Sequence, residues 1–418
     1  METRLSQYGR ASTRPSPVSR MMADFAHDFR DGVDINLGVG YVNEKTIPVT
    51  ALAEAMQAVA CDSARYRQAF NYGSPAGSAN LIASLRRFLG PVAEGRQLAI
   101  GACGATSILD AFAELTEPGI VVTSDPMYYI YSDVLERKGH QVLAVPEDAE
   151  GIDLAALDRK LHALGDDARH IAFFYVVTVN NPSCTILSNT RRRALFDVAA
   201  RLSREQNRAI PIVYDLAYEL LLHDPDAEPF VSVVPDDDLG IVYEIGTLSK
   251  VLAPALRIGY VLGPHGPLMH ALVQKTSDTG FSAPLFVQEM ASWLLDNRIE
   301  TQLRAVNAGY REKALAVGGG IKRNLGGQLE ECRGGSAGFY FYLTFRDIET
   351  HPQSPFFRYL TRTTGEPRVL YIPGEYCVHP RGDLAVPGRR QLRLSYGFED
   401  SPRIMRALEL MREAAYCM

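Results

Sequence analysis

Apolar and polar positions follow two different rhythms along this chain. Between about residue 90 and residue 265, short and nearly continuous apolar runs alternate with stretches whose apolar residues recur every three or four positions. The runs are Gly119–Thr123, Gln141–Val145, Ile171–Val177, Ile210–Tyr214, Gly240–Ile245 and Ile258–Leu262. A run without polar alternation predicts a strand covered on both faces, as in a largely parallel sheet. Helical spacing marks Ala105–Leu115, Ser132–Lys138 and Thr190–Gln206. In the last of these, Leu195, Phe196, Val198, Ala199 and Leu202 share a face. Strand–helix alternation predicts an α/β sheet with helices on both sides.

After about residue 285 the rhythm changes. A long helical stretch, Pro284–Ala316, leads into glycines at 318–320, 326–327 and 334–335, all read as turns. Then come apolar stretches at Gly338–Thr344, Arg368–Pro373 and Gln391–Tyr396, a helix near Phe356–Thr363, and a C-terminal helix from Ser401. This pattern predicts a second, smaller α+β module. The division expected is 1–45 as N-terminal arm and part of the small domain, 46–315 as the large domain, and 316–418 as the small C-terminal domain.

Composition narrows the function classes. The 418 residues are 46% hydrophobic and 22% charged, ordinary for a globular chain of this length. A net charge of -6 gives no reason to expect a nucleic acid or an anionic membrane as partner. No apolar run approaches the roughly 18 residues that would span a bilayer. The polar N-terminus, rich in Arg, Ser and Pro, lacks the apolar stretch of a secretory signal, and Asp24, Asp28 and Asp31 argue against a transit peptide. Only about thirty residues precede Asp34, too few for a helix-turn-helix module. Cys61, Cys103, Cys184, Cys332, Cys377 and Cys417 make no CxxC pair, so neither a metal site nor a disulfide framework is expected. Reduced thiols in a cytoplasmic protein are the expectation.

In an open α/β sheet, ligands bind beyond the carboxyl ends of the strands. Residues just after each apolar run therefore matter most. Lysines are few, and Lys250 ends one such run with an apolar stretch behind it and Arg257 seven residues on. A lysine so flanked sits near the interior, where its ammonium is disfavoured and its neutral amine can attack an aldehyde. Thr247, Ser249 and Arg257 supply two hydroxyls and a guanidinium, a set that suits a phosphate. Asp215 follows the buried run ending at Tyr214, where a carboxylate needs a cation such as a protonated ring nitrogen. Read alone, it fits a helix N-cap as well. Tyr218 lies three residues on and could donate to a ring hydroxyl. Asn181-Pro182 reads equally as a turn or as an amide donor to a ring oxygen. The small residues Gly101, Ala102, Cys103 and Gly104 precede a helix, so backbone N–H groups there can meet an anion. Tyr128, in Asp125-Pro126-Met127-Tyr128, offers an aromatic face for stacking, though a packed tyrosine in a surface turn has the same signature.

In order and spacing these segments resemble the class I/II aminotransferases of pyridoxal-5′-phosphate (PLP) fold type I. The resemblance runs from about Asp34 to Ala415. It implies a large domain with a mostly parallel seven-stranded sheet flanked by helices, and a smaller α+β domain. It implies PLP held as a Schiff base on Lys250, with Asp215, Lys250 and Tyr128 at the chemistry. Tyr218, Asn181, Arg257, Thr247, Ser249, Ala102, Cys103 and Gly104 would surround the cofactor. Tyr72, in Asn71–Gly77, matches the tyrosine that reaches the cofactor phosphate of a neighbouring subunit, so a homodimer is implied. Arg393 matches the arginine that grips the substrate α-carboxylate, with Asn181 and Gly40 also against the substrate. The implied partners are an amino acid and a 2-oxo acid.

Departures from the family pattern bear on specificity. Thr247 replaces a serine, and Cys103 and Gly104 replace bulkier polar residues. Asn180 stands where relatives often carry Gln or another residue. Cys184 replaces the glycine that closes the Asn-Pro turn, and cysteine does not readily take positive φ, so a different turn is expected there. The segment from Tyr371 to Arg389 is longer than in many relatives and, with Arg20–Pro48, loosely similar to valine–pyruvate transaminases. No second arginine is recognisable for a distal carboxylate, which favours neutral or aliphatic substrates. The same scaffold also carries C–S lyases and decarboxylases, and non-catalytic sensors; all the enzymes would keep Lys250 and Asp215.

Overall fold

The computed structural model describes residues 3–362 and 366–417. The chain opens with two helices, α1 (Gln7–Ala11) and α2 (Pro17–His27), and a two-residue strand, β1 (Ile35–Asn36). Ser16 caps α2 by accepting from the Ser19 N–H, and Pro17 occupies the first turn, where its missing N–H breaks no bond. Tyr8 of α1 lies 5.5 Å beneath the Lys138 ammonium, so the arm leans on its own chain. Helices α3 (Val49–Cys61) and α4 (Ala79–Leu89) then lead to the main sheet.

The strands of that sheet are β2 (Gln97–Ile100), β3 (Ile120–Asp125), β4 (Gln141–Asp148), β5 (Gly151–Ile152), β6 (Ile171–Val177), β7 (Ile212–Asp215), β8 (Val242–Thr247) and β9 (Gly259–Gly263). They lie side by side in the order β2-β9-β8-β7-β6-β3-β4-β5. Strands β4, β3, β6, β7 and β8 are parallel, while β9, β2 and β5 run antiparallel to their neighbours. The expected seven strands are present, and β5 makes an eighth. It is a two-residue return from β4, tightened where the Glu150 N–H donates to Asp148 Oδ1 at 2.8 Å, too short to leave an apolar run. Helices α5 (Gly104–Leu115), α6 (Tyr129–Arg137), α7 (Leu154–Leu164), α8 (Asn189–Glu205) and α9 (Pro267–Asp278) follow individual strands.

Continuous apolar strands result from covering both faces. Ile120, Val122, Phe174, Ile212 and Tyr214 point into one core, which is continuous with the interior of the second sheet. Val121, Phe173, Val213, Tyr243 and Val261 point the other way, into a core closed by α5 and α9. Each fully covered valine, leucine or phenylalanine contributes roughly 1.5–3 kcal/mol, so neither face tolerates a polar residue without a partner. Register places Val177 beside Asp215 and Asp215 beside Ile245. The carboxyl ends of β6, β7 and β8 thus line up along one edge.

Beyond β9 the expected single helix is two, α10 (Leu285–Asn297) and α11 (Ile299–Leu325), broken at Arg298 with φ -134°. The glycines at 318–320 do not turn the chain; they lie inside α11. A Cβ on Gly320 would sit 2.6 Å from the Met405 sulfur, so the glycine permits close packing against the C-terminal helix. The second sheet comprises β10 (Leu329–Gly334), β11 (Tyr340–Phe345), β13 (Ile372–Pro373) and β14 (Gln391–Ser395), in the order β10-β11-β14-β13 and all antiparallel. Strand β12 (Val369–Leu370) pairs in parallel with β1, which ties the N-terminal arm to this region. Helices α12 (Pro355–Leu360) and α13 (Ser401–Tyr416) complete it; Thr363, the expected end of α12, lies outside the described residues. Among the described residues no helix is long and apolar enough to cross a membrane.

Candidate active site

A cavity opens at the carboxyl edge of β6, β7 and β8. Tyr128, Tyr175, Val177, Asn181, Asp215, Ala217, Tyr218, Thr247, Ser249, Lys250 and Arg257 line it, with Ala105, Thr106, Leu109 and Pro254 at the helix side. Eight of the twelve residues expected around the cofactor or at the chemistry line it.

Lys250 follows β8 and is half-buried. Its Nζ lies 3.4 Å from the Gly40 carbonyl and 5.5 Å from the centre of the Tyr218 ring. Burial, with the Arg393 and Arg257 guanidiniums nearby, pushes its ammonium down to about 8, against the opposing pull of Asp215. The amine is therefore partly neutral near physiological pH. Asp215 ends β7 and is 5% exposed. Burial raises its carboxyl to about 6, although the Tyr175 hydroxyl donates to Oδ2 at 2.8 Å and the Ala217 N–H to Oδ1 at 3.0 Å. A sheltered acid of this kind is completed by a cation.

Thr247 and Ser249 hold each other: the Thr247 hydroxyl is 2.9 Å from Ser249 Oγ and accepts from the Ser249 N–H at 3.1 Å. Arg257 adopts φ +51°, which swings its guanidinium toward the first turn of α5. Its Nη2 donates to the Cys103 carbonyl at 3.3 Å and its Nε to Cys103 Sγ at 3.4 Å. Gly259 brings β9 against this turn; a Cβ there would come within 2.1 Å of the Ala105 nitrogen. Two hydroxyls, a guanidinium and a helix N-terminus thus converge on one mouth of the cavity, an arrangement suited to a phosphate. The residues of the turn that face the cavity are Ala105 and Thr106. Ala102, Cys103 and Gly104 do not line it, and the N–H groups of Cys103 and Gly104 donate to Ser107 Oγ and the Arg257 carbonyl, at 2.9 and 2.7 Å.

Tyr128, the residue that opens α6, lines one wall. The segment that carries it is gripped by the helical turn and loop after β13: the Met127 N–H donates to the Cys377 carbonyl at 2.7 Å, and the His379 N–H to Asp125 Oδ1 at 3.1 Å. Arg393, on β14 and 2% exposed, donates to Asn181 Oδ1 at 2.8 Å and to the Gly38 carbonyl at 2.5 Å. Its Nε has no partner, so a buried donor remains for a ligand carboxylate. Tyr72 stands apart. It is 82% exposed, beside Phe281, and touches nothing in the cavity of its own chain.

The turn around Cys184 keeps the geometry that a glycine would give. Cys184 has φ +53°, its N–H donates to the Asn180 carbonyl at 2.6 Å, and the Asn180 N–H donates to the Thr185 carbonyl at 2.9 Å. The altered turn expected from this substitution is not found. Burial of Sγ against Gly338 and these two bonds offset the strain, about 1–2 kcal/mol, of a left-handed non-glycine residue.

Two participants carried no sequence signal. Tyr175 sits inside a continuous apolar strand and reads there as core. Tyr340 reads the same way, yet its hydroxyl lies 2.9 Å from that of Tyr218, and the Arg393 guanidinium stacks 4.4 Å above its ring. A second cavity, between α2, α6 and residues 375–389, is lined by Met127 and Tyr129, the chain neighbours of Tyr128.

The chain is 24% identical over 349 residues to the 2-aminoadipate transaminase of Thermus thermophilus, covering 83% of this chain and 81% of that protein. It is 26% identical over 286 residues to the uncharacterized HTH-type transcriptional regulator YisV of Bacillus subtilis, covering 68% of this chain and 53% of that one. The chain spans about half the length of several of the curated relatives it matches. Its fold superposes on kynurenine aminotransferase of Pyrococcus horikoshii with a TM-score of 0.84 at 22% identity, covering 97% of this chain and 96% of that one. The multiple substrate aminotransferase of Thermococcus profundus gives 0.85 at 21%, covering 98% and 96%. The family model for aminotransferase class I and II matches residues 33–364, and the chain belongs to that family.

Proposed function

We propose that this chain is a PLP-dependent aminotransferase that exchanges the amino group between a neutral or aliphatic amino acid and a 2-oxo acid, and that it works as a homodimer. The observation that carries the reading is the meeting of Lys250 and Asp215 in one cavity, with a phosphate-suited mouth at one side and Arg393 beside it. Bound PLP supplies an aldehyde for the amine and a ring that accepts the electron pair left when the Cα–H bond breaks. Thr247, Ser249, Arg257 and the first turn of α5 would hold its phosphate. Asp215 would face its ring nitrogen, Tyr218 and Asn181 its ring oxygen, and Tyr128 its face.

The chain's own groups then divide the work. Arg393 holds the substrate carboxylate through two N–H groups and so sets the Cα–H bond toward Lys250. Lys250 Nζ takes the proton from Cα and later returns one, acting as base and then acid. Gly38–Gly40 and Tyr340 cover the site and keep water from it. Among the described residues lining the cavity, the cations are Lys250 and Arg257, both committed to the cofactor, which supports a substrate without a second carboxylate. Relatives named as aminoadipate and aromatic-amino-acid aminotransferases support the reaction class.

The test is a half-reaction screen. Purified protein loaded with PLP is mixed with single amino acids, and the visible band of the lysine-bound cofactor is followed. Loss of the band, with turnover that requires an added oxo acid, is expected. Release of ammonia and pyruvate without an acceptor would assign elimination instead. Binding without any turnover would assign a sensor, a role compatible with the regulator relatives. Lys250→Ala should abolish borohydride fixation of the cofactor.

A further inference from the structure

Strand β6 has one polar side chain, Tyr175, and its hydroxyl reaches the acid at the end of β7. Tyr175 Oη donates to Asp215 Oδ2 at 2.8 Å. Both residues are buried, at 2% and 5% exposure. The tyrosine ring is pinned edge-on by Tyr131, with centroids 4.6 Å apart. The Tyr131 hydroxyl donates elsewhere, to the Leu109 carbonyl at 2.8 Å. Asp215 therefore has two fixed donors: Tyr175 on Oδ2 and the Ala217 N–H on Oδ1.

Two donors on one carboxylate fix its plane as well as its charge. An acid facing a ring nitrogen can share a proton in two ways, as carboxylate with protonated ring or as neutral acid with neutral ring. Hydrogen bonds to the carboxylate favour the first, and a charge-assisted bond is roughly twice as strong as a neutral one. We infer that Tyr175 is a positioning residue whose hydroxyl holds Asp215 ionised and oriented, so that the shared proton stays on the cofactor ring. This rests on the reading of Asp215 as the partner of the ring nitrogen. The other groups facing Asp215 are Lys250 after β8, Glu219 after β7, and the hydroxyls of Tyr128 and Tyr131 from the α6 side. Lys250 favours the ionised acid and Glu219 opposes it, the latter through a charge already paired with Arg192. Of the side chains, Tyr175 alone donates directly to the carboxylate among the described residues.

The test uses holoenzyme loaded with PLP labelled with nitrogen-15 in the ring. Ring-nitrogen resonance, the pH midpoint of the visible band and the amino-acid half-reaction are compared in wild type, Tyr175→Phe, Tyr131→Phe and Asp215→Ala. Tyr175→Phe is expected to keep the cofactor on Lys250, as fixed by borohydride. Its ring resonance should move part of the way toward neutral pyridine. With less electron withdrawal by the ring, the midpoint of the visible band should rise by about 0.5–1 unit, and the half-reaction should slow by about tenfold. Tyr131→Phe should leave both spectroscopic values in place. If Tyr175→Phe matches wild type in both while Asp215→Ala shifts them, Tyr175 is packing only and the inference fails. If Asp215→Ala also leaves the resonance unmoved, the assignment of Asp215 fails, and this inference with it. Should Tyr175→Phe not fold, Tyr175→His and Tyr175→Met, one with a donor and one without, carry the same comparison.

Discussion

In the role proposed for Lys250, burial turns an ordinary side chain into a reagent. Its ammonium is pushed from 10.5 down to about 8 by burial and by Arg393 and Arg257. Because the folded value is the lower one, the neutral amine becomes the major form as pH rises through about 8. The rate at which the cofactor-free protein captures PLP is therefore expected to climb across that range and level off above it, with about a tenth of the amine neutral one unit below the midpoint. Stopped-flow absorbance against pH checks this; a flat profile between pH 6 and 10 would remove the role of the shifted amine. Lys250 and Asp215 are legible in the sequence because a charge at the end of an apolar run needs a chemical explanation, whereas Arg393, inside such a run, is legible only through the family resemblance. Tyr175 and Tyr340 are not, because a tyrosine inside an apolar strand has the signature of core. Only the neighbouring strand shows where its hydroxyl points.

At the scale of elements, the Asn-Pro turn and the N-terminal arm make separate predictions. Cys184 holds φ +53° with its Sγ packed under Gly338. Cys184→Gly relieves strain but empties a small buried site, so its net effect should stay within about 1 kcal/mol. Cys184→Val adds a β-branch to a left-handed residue and should lose about 3 kcal/mol, read as a shift in urea midpoint. The arm is tied by Asp34. Burial raises its carboxyl, but hydrogen bonds from Arg30 and from the backbone and guanidinium of Arg368 reverse this and hold it well below the usual carboxylate range. Arg30 reaches Oδ1 at 2.6 Å and Arg368 reaches Oδ2 at 2.9 Å. A depressed folded value means stability that is complete above about pH 4 and drains away as pH falls below it. Asp34→Asn should cost about 3 kcal/mol at neutral pH, with a smaller difference from wild type at pH 3, followed by thermal melting at both. The parallel strands were legible because covering two faces removes polar alternation. The glycines at 318–320 carry the signature of a turn in the sequence, because the reason for them, the close approach of α13, is a tertiary contact. The strand β10 gave no signal because its outer positions are exposed and charged.

For the whole molecule, the question is what covers the aromatic surface around Tyr72. Phe70 and Tyr72 are 76% and 82% exposed. Phe70 stacks on Phe286 at 5.0 Å, and Tyr72 lies 5.8 Å from Phe281. Exposed aromatic pairs of this kind mark a face that another surface covers. In the proposed homodimer that surface is a second copy, and Tyr72 serves the phosphate mouth of the partner's cavity. A shared site has a consequence that an isolated one lacks. Tyr72→Ala and Lys250→Ala homodimers should each be impaired. Mixed and allowed to exchange, they form heterodimers in which the Tyr72→Ala subunit retains its lysine and receives an intact tyrosine from across the interface. The other site of each heterodimer lacks both groups. Random exchange makes half the dimers mixed, so activity should rise to about a quarter of wild type. Were Tyr72 to act within its own subunit, or not at all, mixing would give no more than the average of the two parents.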